Sequence, residues 1–412
     1  MKTSFAIPSD SLEIMKKYAK LIGKITEAAN KKIFAVSDGK LMVYVSGRQS
    51  VLNFEVDIDA FSSEKSEDFV VVNYEKFITI AERLTNQDPL FVTIEEDGLK
   101  LLLRSPASKS KVVLSCLDTS SEDEVTSLRE EYDTLKKDHF SSGLRTINLT
   151  DGLMNFAEVS GKFIKMTTKS NSVLVDANTV RYADITSIIS YTSKDTLLES
   201  GIPGDKIIVP TFVLDLVEAA GKTNRKVVYS SNGQFVYFES SELNSLRFIV
   251  RVPPVQFDFP NEEEEAAIIS EQTNQVKLTF NRQKFMASLY LFDGIFDQVL
   301  WRWKPLMLRW NDETPGSINL SHSDANAEAE RDCEVIEYEN STKEHQASFQ
   351  FPSEFYSTVL EFGQALYKAT KGDPEDDTIM LEFSPAERDE DHGLGVVVTS
   401  ADGSLRAIFS KL

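Results

Sequence analysis

Cysteine is almost missing: Cys116 and Cys333 are the two present in 412 residues. They are too few and too far apart for a disulfide framework or a zinc site. Long apolar runs are missing as well. No stretch reaches the ~18 residues that span a bilayer, and the opening Met1-Lys2-Thr3-Ser4-Phe5 has no signal-peptide core. A soluble protein of a reducing, cytoplasmic compartment is the expectation. Histidine is scarce: His139, His322, His345 and His392 are scattered, with no His-Glu-x-x-His pattern and no phosphate-binding glycine loop. Gly393-Leu394-Gly395 lacks a third glycine and leads into a strand pattern rather than a helix. Asp389-Glu390-Asp391-His392 has metal-binding residue types, but it lies in a hairpin turn, where a charged tip is the ordinary expectation. Neither cysteine has a histidine near it in sequence. The expectation is therefore no enzyme, no cofactor and no metal. Positive charge is in deficit, with Lys+Arg 44 against Asp+Glu 65 and a net charge of -21. That argues against non-specific coating of nucleic acid and leaves a local basic surface open.

What is present has ordinary globular composition, with 41% hydrophobic and 26% charged residues. At roughly 100–200 residues per domain, the length predicts two to four domains with separate cores. The chain also repeats itself. Phe69–Phe77, Lys206–Leu214 and Ser348–Tyr356 each place a β-type apolar stretch before Asn73, Pro210 or Pro352, and then an amphipathic helical run. Asparagine suits an N-cap and proline the first helical turn. These anchors stand 137 and 142 residues apart. A strand pair follows in each copy, around Asp97-Gly98, Asn232-Gly233 and the acidic loop Pro385–His392; Asp-Gly and Asn-Gly are hairpin signals. The first half of each period has its own helix, near 10–27, 151–165 and 281–296, followed by another strand pair. Acidic, polar stretches at Asp118–Ser142 and Asn261–Asn274 read as linkers. The prediction is three α+β domains, at 1–141, 142–270 and 271–412, each with two β-α-β-β half-repeats.

As an ordered set, these six half-repeats resemble a bacterial-type β sliding clamp, the processivity factor of replicative DNA polymerases, or a divergent viral relative of one. The likeness covers essentially the whole chain as pattern, strongest in Lys32–Val56, Ile207–Phe257 and Leu405–Leu412. It implies clamp domains with antiparallel sheets outside and helices inside a ring, two chains joining head to tail. It also implies a homodimer on double-stranded DNA, bound without regard to sequence, in the cytoplasm at the nucleoid or, for a viral relative, in an infected host cell.

A ring around DNA needs cations on its inner helices even when the total charge is negative. On the first helix Lys16, Lys17, Lys20 and Lys24 fall within a ~100° arc, while Leu12, Met15, Ala19 and Ile22 cluster on another. Loops after the first helices add Lys31, Lys32, Lys165, Lys169, Arg302 and Lys304, and the second helices add Lys76 and Arg83. A closed ring replaces affinity with topology, so few phosphate contacts suffice and an acidic outer surface is compatible with the task.

The same resemblance implies an apolar cleft for short peptides of a DNA polymerase and a clamp loader. Its residues by local pattern are Val173, Ile185, Ile188, Pro253, Pro254, Phe257, Phe355, Ile408, Phe409 and Lys411. The tail Ile408-Phe409-Ser410-Lys411 and the loop Ile185–Ile189 depart from the family's usual sequences, which implies different peptide preferences. The ring contact would pair an edge strand bearing Val112 and Leu114 with a helix bearing Tyr290 and Leu291. Phe292 and Phe296 on that helix are expected in the core. Val299–Pro305, with Trp301, Arg302 and Trp303, fits a half-buried strand or a surface that stacks unpaired bases. Two other readings compete: a monomeric clamp-like factor on one side of the duplex, and an α+β interaction scaffold without DNA.

Overall fold

The protein was analysed as a computed structural model. The structure describes residues 2–25, 31–37, 39–46, 51–63, 68–85, 88–95, 99–106, 109–116, 126, 130, 133–134, 145–149, 172–183, 187–199, 205–214, 227–231, 236–240, 246–252, 276–293, 306–323, 328–351, 378–383 and 395–410.

The first repeat runs β1 (Thr3–Ile7), α1 (Ser9–Ile25), β2 (Lys31–Ser37), β3 (Lys40–Ser46), β4 (Val51–Asp57), β5 (Asp59–Ser62), β6 (Asp68–Asn73), α2 (Tyr74–Leu84), β7 (Leu90–Glu95), β8 (Lys100–Ser105) and β9 (Ser110–Ser115). The second supplies β10 (Arg145–Leu149), β11 (Ser172–Val175), β12 (Thr179–Ala183), β13 (Ser187–Thr192), β14 (Leu198–Glu199), β15 (Ile207–Pro210), β16 (Val227–Ser231), β17 (Val236–Ser240) and β18 (Leu246–Val252). The third runs β19 (Val276–Asn281), α3 (Arg282–Asp293), β20 (Leu306–Asn311), β21 (Ser317–Ser323), β22 (Glu328–Glu334), β23 (Glu337–Asn340), β24 (Gln346–Phe351), β25 (Thr378–Phe383), β26 (Gly395–Ser400) and β27 (Leu405–Ser410). The expected helix near 151–165 lies outside the described residues, as does Val299–Pro305.

Two compact units result: Met1–Met154 with Leu198–Pro203 and Phe212–Val255, and Asn155–Leu197 with Gly204–Thr211 and Gln256–Leu412. In the first unit a five-stranded sheet has the order β5-β1-β7-β8-β9, and a nine-stranded sheet has the order β14-β10-β16-β17-β18-β4-β3-β2-β6. In the second, a nine-stranded sheet runs β15-β11-β12-β13-β27-β26-β25-β19-β23, and a four-stranded sheet runs β22-β21-β20-β24. The units cut across the repeats because each nine-stranded sheet joins strands of two repeats. One joint pairs β18 with β4, the other β13 with β27.

Once the joints are set aside, the three repeats have one topology. A five-strand ladder (β5-β1-β7-β8-β9) recurs as β14-β10-β16-β17-β18 and as β23-β19-β25-β26-β27, and a four-strand ladder (β6-β2-β3-β4) recurs as β15-β11-β12-β13 and β24-β20-β21-β22. Threefold duplication, read from the spacing of Asn73, Pro210 and Pro352, is thus present strand by strand.

Local chemistry explains the elements. The Asn73 side chain accepts a hydrogen bond from the Lys76 backbone N–H at 3.0 Å, capping α2. Asn281 does the same for α3 through Lys284, also at 3.0 Å. Gly39, at φ +76°, allows the tight β2–β3 turn that a side chain would disfavour. Along α2, Tyr74, Phe77, Ile78, Ala81 and Leu84 are buried at helical spacing. They meet an aromatic cluster: Phe34 lies 5.0 Å from Phe77 and 6.0 Å from Tyr74, and Phe54 lies 4.9 Å from Tyr18, all edge to face. The Tyr74 hydroxyl donates to the Met15 carbonyl at 2.8 Å, which ties α2 to α1. Burial, reinforced by Tyr18, pushes the Tyr74 hydroxyl pKa well up, so it stays a donor. In the second unit Phe280 stacks on Phe285 at 4.7 Å, and Phe292 is buried as expected of a core position.

Candidate nucleic-acid interface and docking edges

On α1, Leu12, Met15 and Tyr18 are buried. Positions 16, 17, 20 and 24 fall on the opposite side of the helix at 100° per residue. Lys17 is exposed, whereas Lys16 is half-buried and paired with Glu13 at 2.6 Å. Lys16 is thus partly neutralised within its own helix. Lys76 and Arg83 are exposed and seven positions apart, so they share the face of α2 that points away from its buried residues. Lys31 and Lys32 begin β2. The side chains of Lys20, Lys24, Lys31 and Lys32 lie outside the described residues, as do Lys165, Lys169, Arg302 and Lys304 entirely. The described helices thus have a core face and a lysine- or arginine-bearing face, the arrangement a phosphate backbone requires.

The peptide-cleft residues divide between two faces of one sheet. Ile188 on β13 sits directly opposite Ile408 on β27, and Ser187 opposite Phe409. Directly paired residues share a face. Val173 does not join them. Val175 pairs with Val180, Val180 with Tyr191, and Tyr191 lies three residues from Ile188. With a period of two, Val173 and Val175 share the Tyr191 face, and Ile188 and Ile408 take the other. Val173 is buried. Ile185, Pro253, Pro254, Phe257, Phe355 and Lys411 lie outside the described residues.

Two strands end their sheets with an open side: β9 in the first unit and β22 in the second. On β9, Leu114 pairs with Leu101 and is 2% exposed, so it is already part of the first unit's core. Val112 pairs with Leu103 on that face and is half-buried. Val113, 49% exposed, points to the other face with Lys111. Three apolar residues in a row hid this alternation from sequence reading, which passed over Val113. Next to β22, α3 presents Tyr290 and Leu291, 45% and 44% exposed, while Lys284 pairs with Glu334 at 2.8 Å. Ile336 and Tyr338, also exposed, were missed for want of a strand signal in that acidic stretch.

Chemistry is sparse. Among the described residues no group of three or more His, Cys, Asp or Glu could hold a metal ion, and no helix is long and apolar enough to cross a membrane. Burial pushes the Cys116 thiol up to about 12, against a backbone hydrogen bond from Leu101 that lowers it, and burial also raises Cys333. Both thiols therefore stay protonated at neutral pH, and iodoacetamide at pH 8 should label the folded chain at least about tenfold more slowly than the urea-unfolded chain. Equal rates would contradict this. The raised values add stability that is complete below the unfolded thiol pKa and fades as pH climbs above about 9.

No family model matches the sequence, and no curated protein matches it. Solved structures do. DNA polymerase III subunit beta from Borrelia burgdorferi, in complex with a natural product, superimposes with a TM-score of 0.68 at 11% identity, covering 99% of both chains. The DNA polymerase sliding clamp from Bacillus subtilis gives 0.67 at 13% identity over 100% of this chain and 99% of its own. DNA polymerase III subunit beta from Pseudomonas aeruginosa gives 0.65 at 15% identity over 99% of each. The protein has the DNA sliding-clamp fold, across its whole length.

Proposed function

We infer that this chain is a DNA sliding clamp, a non-enzymatic processivity factor. Two copies close head to tail around duplex DNA and tether a replicative polymerase and its loader through short apolar peptides. The single observation behind this reading is topological. Each repeat offers one ladder ending at β9, β18 or β27 and another ending at β4, β13 or β22. Within the chain two of these ends are already joined, and the remaining two, β9 and β22, are open. A chain built this way is completed by a second copy, and three domains at 1–141, 142–270 and 271–412 become six. The lysine faces of α1 and α2 then supply a sequence-independent inner lining. The solved clamps of the same fold support the reading. The peptide cleft is assigned to the face of Ile188, Ile408 and Phe409, with Val173 left to the core. Ring contacts fall to Val112 on β9 and to Tyr290 and Leu291 on α3.

The test is retention without affinity. The chain should sediment at twice its monomer mass, remain on nicked circular plasmid through gel filtration at raised salt, and be lost when the plasmid is cut once. A ring threads DNA, and a free end releases it. Equal retention on linear and circular DNA would favour one-sided binding instead; no retention on either would end the clamp reading.

A further inference from the structure

Two joints inside the chain prescribe the geometry of a third between chains. Equivalent positions follow from the ladders. Lys32↔Val72, Val173↔Val209 and Leu306↔Phe351 are the same step before the second helix in each repeat. Tracing two strands across makes Phe54, Tyr191 and Arg331 equivalent, and hence Asn53, Ser190 and Glu330. On the other ladder, Ile7↔Leu90, Leu149↔Val227 and Phe280↔Ile379 lead to Val112, Val250 and Ala407, and hence to Lys111, Ile249 and Arg406.

The two existing joints agree. One sets Ile249 opposite Asn53 and the other sets Arg406 opposite Ser190, the same pair of positions. We propose that β9 of one chain adds to β22 of a second copy in this register, with Lys111 opposite Glu330, Lys109 opposite Asp332 and Val112 opposite Ala329. The proposal rests on the ring reading above and gives it a defined seam.

Charge fits the register. The outward face of β22 carries Glu328, Glu330, Asp332 and Glu334 at alternate positions, all exposed. The matching face of β9 and its turn carries exposed Lys109 and Lys111, with Arg104 opposite Lys111 on the next strand. At the position equivalent to Lys109 and Asp332, the first joint already sets Arg247 opposite Glu55. On the other face Val112 meets Ala329, on the side of the sheet where α3 packs against β22. A seam with one charged and one apolar face excludes slipped registers, because a shift of one residue would turn every side chain to the wrong side.

Full-length chains test this by sedimentation and by crosslinking. Lys111→Glu and Glu330→Lys should each weaken the dimer by about tenfold or more, and their combination in one chain should return it to within about threefold of the original. In a Cys116→Ser, Cys333→Ala background, Val112→Cys with Ala329→Cys should link copies covalently on mild oxidation, while Val112→Cys with Arg331→Cys should not, since a disulfide needs Cα atoms within about 7 Å. A dimer that ignores both reversals, a swap without rescue, or a link at 331 rather than 329 overturns the register and leaves the ring standing. A chain that stays monomeric at every concentration overturns both.

Discussion

Changing Tyr290 and Leu291 together to aspartate should convert the dimer to a monomer and abolish retention on circular DNA. Both residues are nearly half exposed on α3, so the second unit does not need them for its own core. Burying two such side chains at a joint contributes about 1.5–3 kcal/mol each. The two new carboxylates would also stand beside the acidic β22. A loss of about 5 kcal/mol, roughly 10³- to 10⁴-fold in dissociation constant, is the expected size. Analytical ultracentrifugation measures it directly, and circular dichroism unchanged from the parent verifies that the fold is intact. An undiminished dimer would remove α3 from the ring contact.

The second large effect belongs to the core. Phe54 on β4 touches Tyr18 and Tyr74, on α1 and α2, at 4.9 and 6.3 Å, and is fully buried. Phe54→Ala should cost about 3–5 kcal/mol, the range for a buried aromatic emptied in a close-packed site. Phe54→Leu, nearer in volume, should cost well under half of that. Urea unfolding of the first unit reads the difference as a lower midpoint with unchanged slope. A cost below about 1 kcal/mol for the alanine variant would mean the cluster can collapse around the gap. Because β4 also carries the joint to β18, the loss should weaken strands of two repeats at once.

Much of this architecture was legible in the residues. Asn73 announced its helix by its capping chemistry, and Asp38-Gly39 its hairpin by backbone freedom. The lysine spacing on α1 was visible because helical period is local information. What stayed hidden depends on pairings between distant segments. Nothing in Ser110–Ser115 says that Leu114 turns inward and Val113 outward; the partner strand decides it. Likewise Val173 and Ile188 look alike as apolar strand residues, and only the ladder through β12 shows them on opposite faces. Lys16 counted as a free cation until Glu13, one turn away, was seen to hold it. The joints themselves, which set Arg247 opposite Glu55 across some 190 residues of chain, have no sequence signature.

The joints between repeats have one further consequence. Each matches the end of one kind of ladder to the end of the other kind, never like to like. Such matching gives a closed assembly a sense of rotation, and therefore two rims that differ chemically. Four of its six seams would be covalently tethered and two would not, so opening always begins at one of two places. A polymerase held at one rim would meet every primer end facing the same way.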